Sequence, residues 1–168
     1  MKKLIFKKQK GFTLIELLIF TGIFSILILA MLQLLTSIFD VQLESQSTSV
    51  VSKNGRYILN RLTHDIKNAT IVTSPSLGNQ GQNLIVSDGV TTYTYQLSNA
   101  NLTLTNSITG TTDQLNSVNT SISNLNFLTL SDTNAQNKTV TASFTIRSKI
   151  IERKGVNTES FNITVGTR

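Results

Sequence analysis

The sequence predicts an α+β fold, with a long N-terminal α-helix whose distal half packs on a C-terminal antiparallel β-sheet. An apolar run without formal charge extends from Leu17 to Phe39. Apolar residues then recur at the three- and four-residue spacing of a helical stripe as far as Ala69, before the single proline, Pro75. From Thr91 onward single apolar residues alternate with Thr, Asn and Ser, which is the period of half-buried strands. A sheet with one apolar face needs a cover, and the outer part of the helix carries the complementary stripe.

The net charge of +6 is concentrated at the N-terminus. Five of the fifteen Lys and Arg residues precede Gly11, whereas all nine acidic residues follow it. The remainder therefore holds ten basic and nine acidic residues and is nearly neutral. The excess of positive charge thus belongs to the first eleven residues and does not by itself indicate a nucleic-acid partner. The chain has no cysteine, which excludes disulfides and thiolate metal sites.

The apolar run is long enough to cross a membrane. Leu17–Phe39 contains 23 residues, about 35 Å at the rise of an α-helix, against a hydrocarbon core of about 30 Å. Lysines before the run and acidic residues after it place the N-terminus in the cytoplasm and the remainder outside. A cleaved secretory signal is the competing interpretation, but it needs a shorter apolar region and a small-x-small site, which this run does not offer.

We expect one continuous helix from about Thr13 to Ala69. Its weakest part is Glu44–Lys53, where hydroxyl side chains compete for backbone hydrogen bonds, so this segment is either helical or locally melted. Gly55 costs about 1 kcal/mol relative to alanine in a helix interior. It is therefore either a tolerated glycine or one that close packing against the sheet requires.

Beyond Ala69 the hydrophobic period changes from about 3.6 to 2, and breakers separate the alternating segments. The predicted strands are Thr91–Leu97, Asn101–Thr105, Asn124–Leu130, Thr139–Ile150 and Ser160–Val165. The predicted turns are Ser87–Gly89, Ser98–Asn101, Ile108–Gly110 and Lys154–Gly155, and the predicted loop between helix and sheet is Ser74–Asn83.

Glu16 is a carboxylate near the start of a membrane segment, where it is costly. A charge near the bilayer centre costs at least about 2.5 kcal/mol, and an exposed helix N-terminus returns only about 0.3–1 kcal/mol. An ionisable residue in a membrane segment usually has a function and a specific partner. Cleavage between Gly11 and Phe12 would create an amine on the same helical turn, in this chain or in an adjacent copy. A tolerated carboxyl group, protonated or reaching outward to water, is the alternative.

The stretch KGFTLIELL, Lys10–Leu18, closely resembles the class III signal of type IV pilins and pseudopilins. That signal is a short basic leader ending in Gly, then Phe, then an apolar helix with Glu at the fifth position after the cut. The resemblance implies that a membrane aspartyl prepilin peptidase cuts after Gly11 and methylates the new N-terminus, Phe12. It also implies that Glu16 meets the Phe12 amine of a neighbouring subunit as the helix enters a filament.

With that resemblance, the chain divides into four segments. We expect a cleaved cytoplasmic leader (1–11), a transmembrane and filament-core helix (12–39), an extramembrane half of the helix (40–70) and an Asn/Thr-rich antiparallel β ectodomain (71–168). The resemblance implies several partners besides the peptidase: other pilin or pseudopilin subunits, the inner-membrane assembly platform, and membrane lipid before assembly. No cofactor is implied.

Two segments beyond the signal, Tyr57–Thr70 and Tyr93–Thr105, are similar to the minor pilin W and secretion pseudopilin J group. In that group a Y-x-Y-x-L strand forms a hairpin with an L-x-L strand. Two departures disfavour a standard major pilin. Gln33 stands where many major pilins have a helix proline, and the cysteine pair that closes their C-terminal loop is absent.

Other chemistry has little support. His64 beside Asp65 is the single histidine, and a solvated surface histidine is favoured over an acid–base pair. Metal binding has no cluster of His, Cys or closely spaced acids, because the ectodomain acids are isolated turn residues: Asp88, Asp113 and Asp132. The small basic cluster of Lys149, Arg153 and Lys154 could touch DNA phosphates, but three charges give a weak contact and a solvated hairpin is favoured.

The sequence therefore predicts a non-enzymatic filament subunit, a minor pilin or pseudopilin of a type IV pilus, type II secretion system or competence pseudopilus. It would lie first in the cytoplasmic (inner) membrane, and then in a pilus or pseudopilus at the cell surface or in the periplasm. The alternative is an uncleaved, signal-anchored surface sensor or adhesive module, which would retain Met1–Gly11. An enzyme ectodomain on an anchor is a third possibility, for which the sequence offers no site.

Overall fold

The computed structural model describes residues 11–131 and 138–167, and within them it contains one α-helix and nine β-strands. Helix α1 is Leu14–Asn68, and the strands are β1 (Ile71–Ser74), β2 (Gln80–Gly81), β3 (Leu84–Ser87), β4 (Thr92–Ser98), β5 (Asn101–Asn106), β6 (Thr112–Gln114), β7 (Thr120–Ser131), β8 (Lys138–Ser148) and β9 (Thr158–Gly166). One long helix followed by antiparallel strands confirms the predicted α+β fold. The chain divides into two compact units, Met1–Val41 and Gln42–Arg168, and α1 contributes residues to both. The leader residues 1–10 and Asp132 lie outside the described residues.

Helix α1 starts and ends within one residue of the predicted limits. The hydroxyl of Thr13, the residue before the helix, accepts a hydrogen bond from the backbone N–H of Glu16 at 3.3 Å, as expected of an N-cap. At the other end the N–H of Ala69 bonds to the carbonyl of Ile66 at 3.2 Å, the tighter pattern that often closes a helix.

The hydroxyl-rich segment Glu44–Lys53 is helical throughout, which decides between the two alternatives left open by the sequence. Ser47 and Val51 are fully buried, and the amide of Asn157 donates a hydrogen bond to the Thr48 hydroxyl at 2.8 Å. These tertiary contacts outweigh the low helix propensity of the segment, as tertiary context commonly does.

The strands form two antiparallel sheets, so the prediction of a single sheet is wrong. Sheet 1 has the strand order β1-β3-β4-β5-β6, and sheet 2 has the order β2-β7-β8-β9. An alternating pattern indicates that a strand buries one face, but it does not specify its neighbours. The loop prediction for Ser74–Asn83 is also wrong in part, because Gln80 and Gly81 form β2 and pair with β7.

All five predicted strands are present, with ends shifted by a few residues. Strands β4 and β5 form a tight hairpin in which Tyr95 pairs with Leu104. The two residues of its loop, Asn99 and Ala100, have φ values of 49° and 61°, which is typical of the type I′ turn that suits a twisted hairpin.

The β3–β4 turn is closed by an aspartate, as the breaker Ser87–Gly89 predicts. The Asp88 carboxylate accepts hydrogen bonds from the backbone N–H groups of Thr91 at 2.7 Å and Val90 at 2.9 Å. These two hydrogen bonds, that of Thr91 first, hold the pKa of Asp88 below its ordinary value because they favour the charged form.

The core of the second unit lies between α1 and the two sheets. The buried helix residues are Ser47, Val51, Gly55, Ile58, Leu62, Asp65 and Ile66, and Ala69, the last residue of the predicted stripe, is buried directly after the helix. Gly55 lies against the ring of Phe161 in β9, where an added β-carbon would come within 3.0 Å of three ring carbons. Gly55 is therefore required for close packing, because no other residue leaves room for the ring.

A buried asparagine connects the two sheets. Asn116 lies between β6 and β7 and is 4% exposed. Its side-chain oxygen accepts the N–H of Leu102 in β5 at 2.9 Å, and its side-chain nitrogen donates to the carbonyl of Thr120 in β7 at 3.1 Å. A backbone hydrogen bond from Ile122 to Ala100 at 2.8 Å adds a second link. The edge where β5 meets β7 is thus fixed by polar groups that are satisfied inside the protein.

Candidate functional site

The residues singled out at the N-terminus lie at the start of α1. Gly11, Phe12 and Thr13 precede the helix in a non-helical conformation, and the Phe12 side chain is 76% exposed. Glu16 lies in the first turn and is exposed. The structure thus brings Glu16 within one turn of Phe12, whereas cleavage after Gly11 and methylation of Phe12 remain predictions.

Thr13 and Glu16 together have the pattern of a capping box, which the sequence analysis missed. In a capping box the hydroxyl of the N-cap residue bonds the N–H of the third helical residue, and a Glu or Gln there can bond back to the N-cap N–H. The first of these hydrogen bonds is present, from the Glu16 N–H to the Thr13 hydroxyl. The T-x-x-E spacing of Thr13 and Glu16 is the sequence pattern from which this capping box could have been predicted. Glu16 therefore has a local role available, in addition to any role between subunits.

The first part of α1 exposes apolar side chains on every side. The helix is long enough and apolar enough, by length and composition, to cross a membrane. Every large apolar side chain from Leu14 to Leu43 is at least 38% exposed. A helix that is apolar all round is stable against lipid or against other apolar helices, but not in water.

Three hydroxyl groups in this part of the helix bond to the helix backbone. Thr21 donates to the carbonyl of Leu18 at 3.0 Å, Ser25 to that of Thr21 at 2.7 Å, and Thr36 to that of Gln33 at 2.9 Å. Because a bilayer core offers no water, a polar group there needs such an internal partner. These residues are therefore compatible with a membrane span.

A buried charged cluster in the second unit was not predicted. Asp65 is 3% exposed and accepts hydrogen bonds from the Arg61 side chain at 2.9 Å and from the hydroxyl of Tyr95 in β4. Its other oxygen lies 3.1 Å from Nδ1 of His64, whose side chain is 71% exposed, which confirms the prediction of a surface histidine. The period of the helix does not distinguish Asp65 from an exposed acid, so its burial could not be predicted from the sequence.

The cluster ties α1 to sheet 1. Burial raises the pKa of Tyr95 well above its ordinary range, and the negative charge of Asp65 raises it further. Tyr95 thus keeps its proton and donates it in the hydrogen bond to Asp65. A carboxylate held by Arg61 and Tyr95 acts as a structural anchor, not as the base of an acid–base pair.

Other candidate sites gain little from the structure. Within residues 11–131 and 138–167, no three His, Asp or Glu side chains are grouped closely enough to hold a metal ion. In the basic cluster, the Lys154 ammonium lies 3.4 Å from the Glu44 carboxylate, and that of Lys149 donates to the carbonyl of Val118 at 3.0 Å. These contacts reduce the charge that the cluster can offer to DNA phosphates.

Comparison with known proteins identifies the N-terminal segment. The family model described as the prokaryotic N-terminal methylation motif matches residues 6–32, which include Gly11, Phe12 and Glu16. Residues 33–168 lie outside that match, and neither a curated protein nor a solved structure matches the chain significantly. The matched motif is the class III prepilin signal, and the long N-terminal helix followed by antiparallel sheets is a pilin-like arrangement. The signal segment and the fold together support a relationship to the type IV pilin and pseudopilin superfamily.

Proposed function

We propose that this chain is a non-enzymatic subunit, a minor pilin or pseudopilin, of a type IV pilus, type II secretion system or competence pseudopilus. One observation carries the proposal: the first part of α1, residues 14–39, exposes apolar side chains all round and contains a single carboxylate, Glu16, in its first turn. Such a surface needs lipid before assembly and neighbouring helices after it. A prepilin signal implies processing by prepilin peptidase and assembly with other pilin subunits.

Processing would take place between Gly11 and Phe12. Both residues lie before the first helical turn and are exposed, so the bond between them is accessible without unwinding α1. The product would begin at Phe12, whose new amine the peptidase would methylate. This cut would also remove the five leader lysines, so the basic segment would not enter the filament.

Glu16 would act in assembly through its charge. The cost of a carboxylate in the bilayer, at least about 2.5 kcal/mol near the centre, exceeds what the helix N-terminus returns. Pairing with the Phe12 amine of the next subunit would neutralise both groups as the subunit leaves the membrane. Because each copy uses different surfaces as donor and acceptor, the contact would repeat in an open helical array.

The hairpin of the ectodomain supports the minor pilin W and pseudopilin J group. Tyr95 pairs with Leu104, and Leu97 pairs with Leu102, so the Y-x-Y-x-L and L-x-L strands are direct neighbours.

As a pilin or pseudopilin subunit, the chain would have its N-terminus in the cytoplasm and its ectodomain outside the inner membrane. The assembly platform of the inner membrane would be the further partner during extraction, and the final location would be the cell surface or the periplasm.

The mass and N-terminal sequence of the protein isolated from its own cell membrane test the processing step. A chain that begins at methylated Phe12 is expected. A chain that keeps Met1–Gly11 in cells with active prepilin peptidase would refute the proposal and would favour the uncleaved surface anchor.

Variants of Glu16 separate its charge from its local capping role. Gln can replace Glu in a capping box but carries no charge. We therefore expect Glu16→Gln and Glu16→Ala both to be processed normally and both to enter sheared filaments poorly, at a small fraction of the wild-type level. Thr13→Ala, which removes the cap and keeps the charge, is the matched control and should assemble. Normal assembly of Glu16→Gln would show that capping is sufficient and would refute charge pairing.

A further inference from the structure

A short loop of the second unit exposes basic and apolar side chains together. It follows β8 and has the sequence KIIERK, Lys149–Lys154, which we call the KIIERK loop. Its Ile151 is 79% exposed, and the neighbouring Val118 is 76% exposed. Lys149 joins the two, because its backbone N–H bonds to the carbonyl of Asn119 at 2.8 Å and its ammonium to that of Val118 at 3.0 Å. Isolated exposed apolar residues are common, but two beside a cluster of lysines form a distinct surface.

The loop is attached to the helix close to the end of the apolar run. The Lys154 ammonium lies 3.4 Å from the carboxylate of Glu44, which comes five positions after Phe39. Five residues span about 7.5 Å in a helix and at most about 18 Å fully extended. The headgroup layer of a bilayer is roughly 5–7.5 Å thick on each side of its hydrocarbon core. If Phe39 lies at the edge of that core, the loop is within reach of the headgroups.

We propose that the KIIERK loop is a membrane-surface contact that inserts Ile151 and Val118 among the headgroups of anionic phospholipids before assembly. Lys149 and Lys154 would face the lipid phosphates. The proposal rests on the membrane anchoring of the proposed function and adds a second contact of the same chain with the same bilayer.

The side-chain chemistry fits a lipid interface. Apolar tips enter the boundary between headgroups and acyl chains, while lysines keep their ammonium groups at the phosphates. Two acids oppose this charge: Glu44, which faces Lys154, and Glu152 within the loop. Lys149, Arg153 and Lys154 together exceed these acids by one charge. The electrostatic attraction is therefore modest.

A modest attraction is sufficient because the span already tethers the loop. Binding of the loop is intramolecular once the apolar helix is in the bilayer, and short tethers give effective concentrations on the order of millimolar. An interaction too weak to recruit a free protein can thus keep the loop at the membrane for much of the time. Extraction into a filament would have to break it.

Labelling at single cysteines tests the contact directly, since the natural chain contains no cysteine. Full-length Ile151→Cys and Val90→Cys carry an environment-sensitive fluorophore and are reconstituted into vesicles with nitroxide-labelled headgroups. Val90, in the β3–β4 turn, is 81% exposed and is the matched control. One set of vesicles contains phosphatidylglycerol and phosphatidylcholine, the other phosphatidylcholine alone. Flotation shows in each case that the chain has inserted.

We expect quenching at position 151 to be several-fold greater than at position 90 in anionic vesicles. Adding Lys149→Glu should lower this quenching about twofold in anionic vesicles but not in neutral vesicles.

Equal quenching at the two positions in a chain that floats would overturn the loop contact and leave the anchoring proposal intact. Quenching that is the same in both vesicle types and insensitive to Lys149→Glu would overturn the anionic-lipid assignment. A fluorescence shift that disappears on dilution of protein in lipid would assign the surface to a second copy, and a chain that does not float would refute the anchoring itself.

Discussion

Replacing Gly55 with alanine should destabilise the second unit, although the same change stabilises most helices. At an unhindered helix position the change from Gly to Ala gains about 1 kcal/mol. Here the new methyl group would come within 3.0 Å of three carbons of the Phe161 ring, so the ring must move. Overpacking of this kind costs about 1–3 kcal/mol. The ring would also lose its stacking on Phe144, at 5.5 Å between centroids, worth about 0.5–1.5 kcal/mol.

The sum of these effects is a loss of about 2 kcal/mol in the free energy of unfolding. Denaturant unfolding of the full chain in detergent, followed by tyrosine fluorescence, measures it, since the three tyrosines, Tyr57, Tyr93 and Tyr95, all belong to the second unit. Asn60→Ala, at an exposed position of the same helix, is the control and should be slightly stabilising.

A double-mutant cycle decides whether the ring is the cause. In a Phe161→Ala background the obstruction is absent, so Gly55→Ala should become neutral or stabilising by up to about 1 kcal/mol. Phe161→Leu serves as a milder background if the alanine variant is too unstable to measure. An equal loss from Gly55→Ala with and without the ring would refute the packing argument.

Three further predictions concern buried or turn-forming polar groups. Asp65→Asn should destabilise the second unit by about 3 kcal/mol because it leaves a partly buried arginine without its counter-charge. Tyr95→Phe should cost about 1–2 kcal/mol because it removes one hydrogen bond. In the same unfolding assay, additive losses in the double variant would contradict a shared cluster. Asn116→Ala should cost about 2–3 kcal/mol because it leaves the N–H of Leu102 without a partner, and a loss below about 0.5 kcal/mol would contradict its role between the sheets. The carboxyl of Asp88 should titrate below its ordinary pKa by NMR, so its contribution to the turn is present above that ordinary value and is lost as the pH falls through the lowered pKa. An unshifted titration would contradict this. In Asp88→Asn, the contribution of this side chain to the turn should not depend on pH over that range.

The sequence predicted the elements whose residues repeat with a clear period. The helix limits followed from the apolar run and the stripe, and the close packing of Gly55 was one of two interpretations that the sequence allowed. The β4–β5 hairpin followed from two alternating runs with a breaker between them. In each case the local sequence pattern favours the same structure as the tertiary contacts, so the element can be predicted from residues close together in the sequence.

The rest depends on contacts that the local pattern does not contain. Strand β6 is exposed at all three of its residues, and β2 has two residues, so neither shows any alternation. Strand β7 was predicted to begin too late because a bulge before Asn126 separates the buried Ile122 and Leu125 by three positions and breaks the period of two. The burial of Asp65 depends on Tyr95, thirty positions away. For the N-terminal site, the motif and the apolar run could be predicted, whereas the capping role of Thr13 was overlooked.

The contact between α1 and β9 has a consequence for the order in which the chain can fold. Ser52 bonds to Glu159 across 107 positions, and Gly55 meets Phe161 across a similar interval, so β9 covers this part of the helix face. Contacts of such long sequence separation form late, and chains fold from the N-terminus during synthesis. The apolar run can therefore enter the membrane while the helix beyond it is still uncovered. A chain that stops before β9 would lack both contacts, so the helix face around Gly55 would stay accessible to proteases and chaperones.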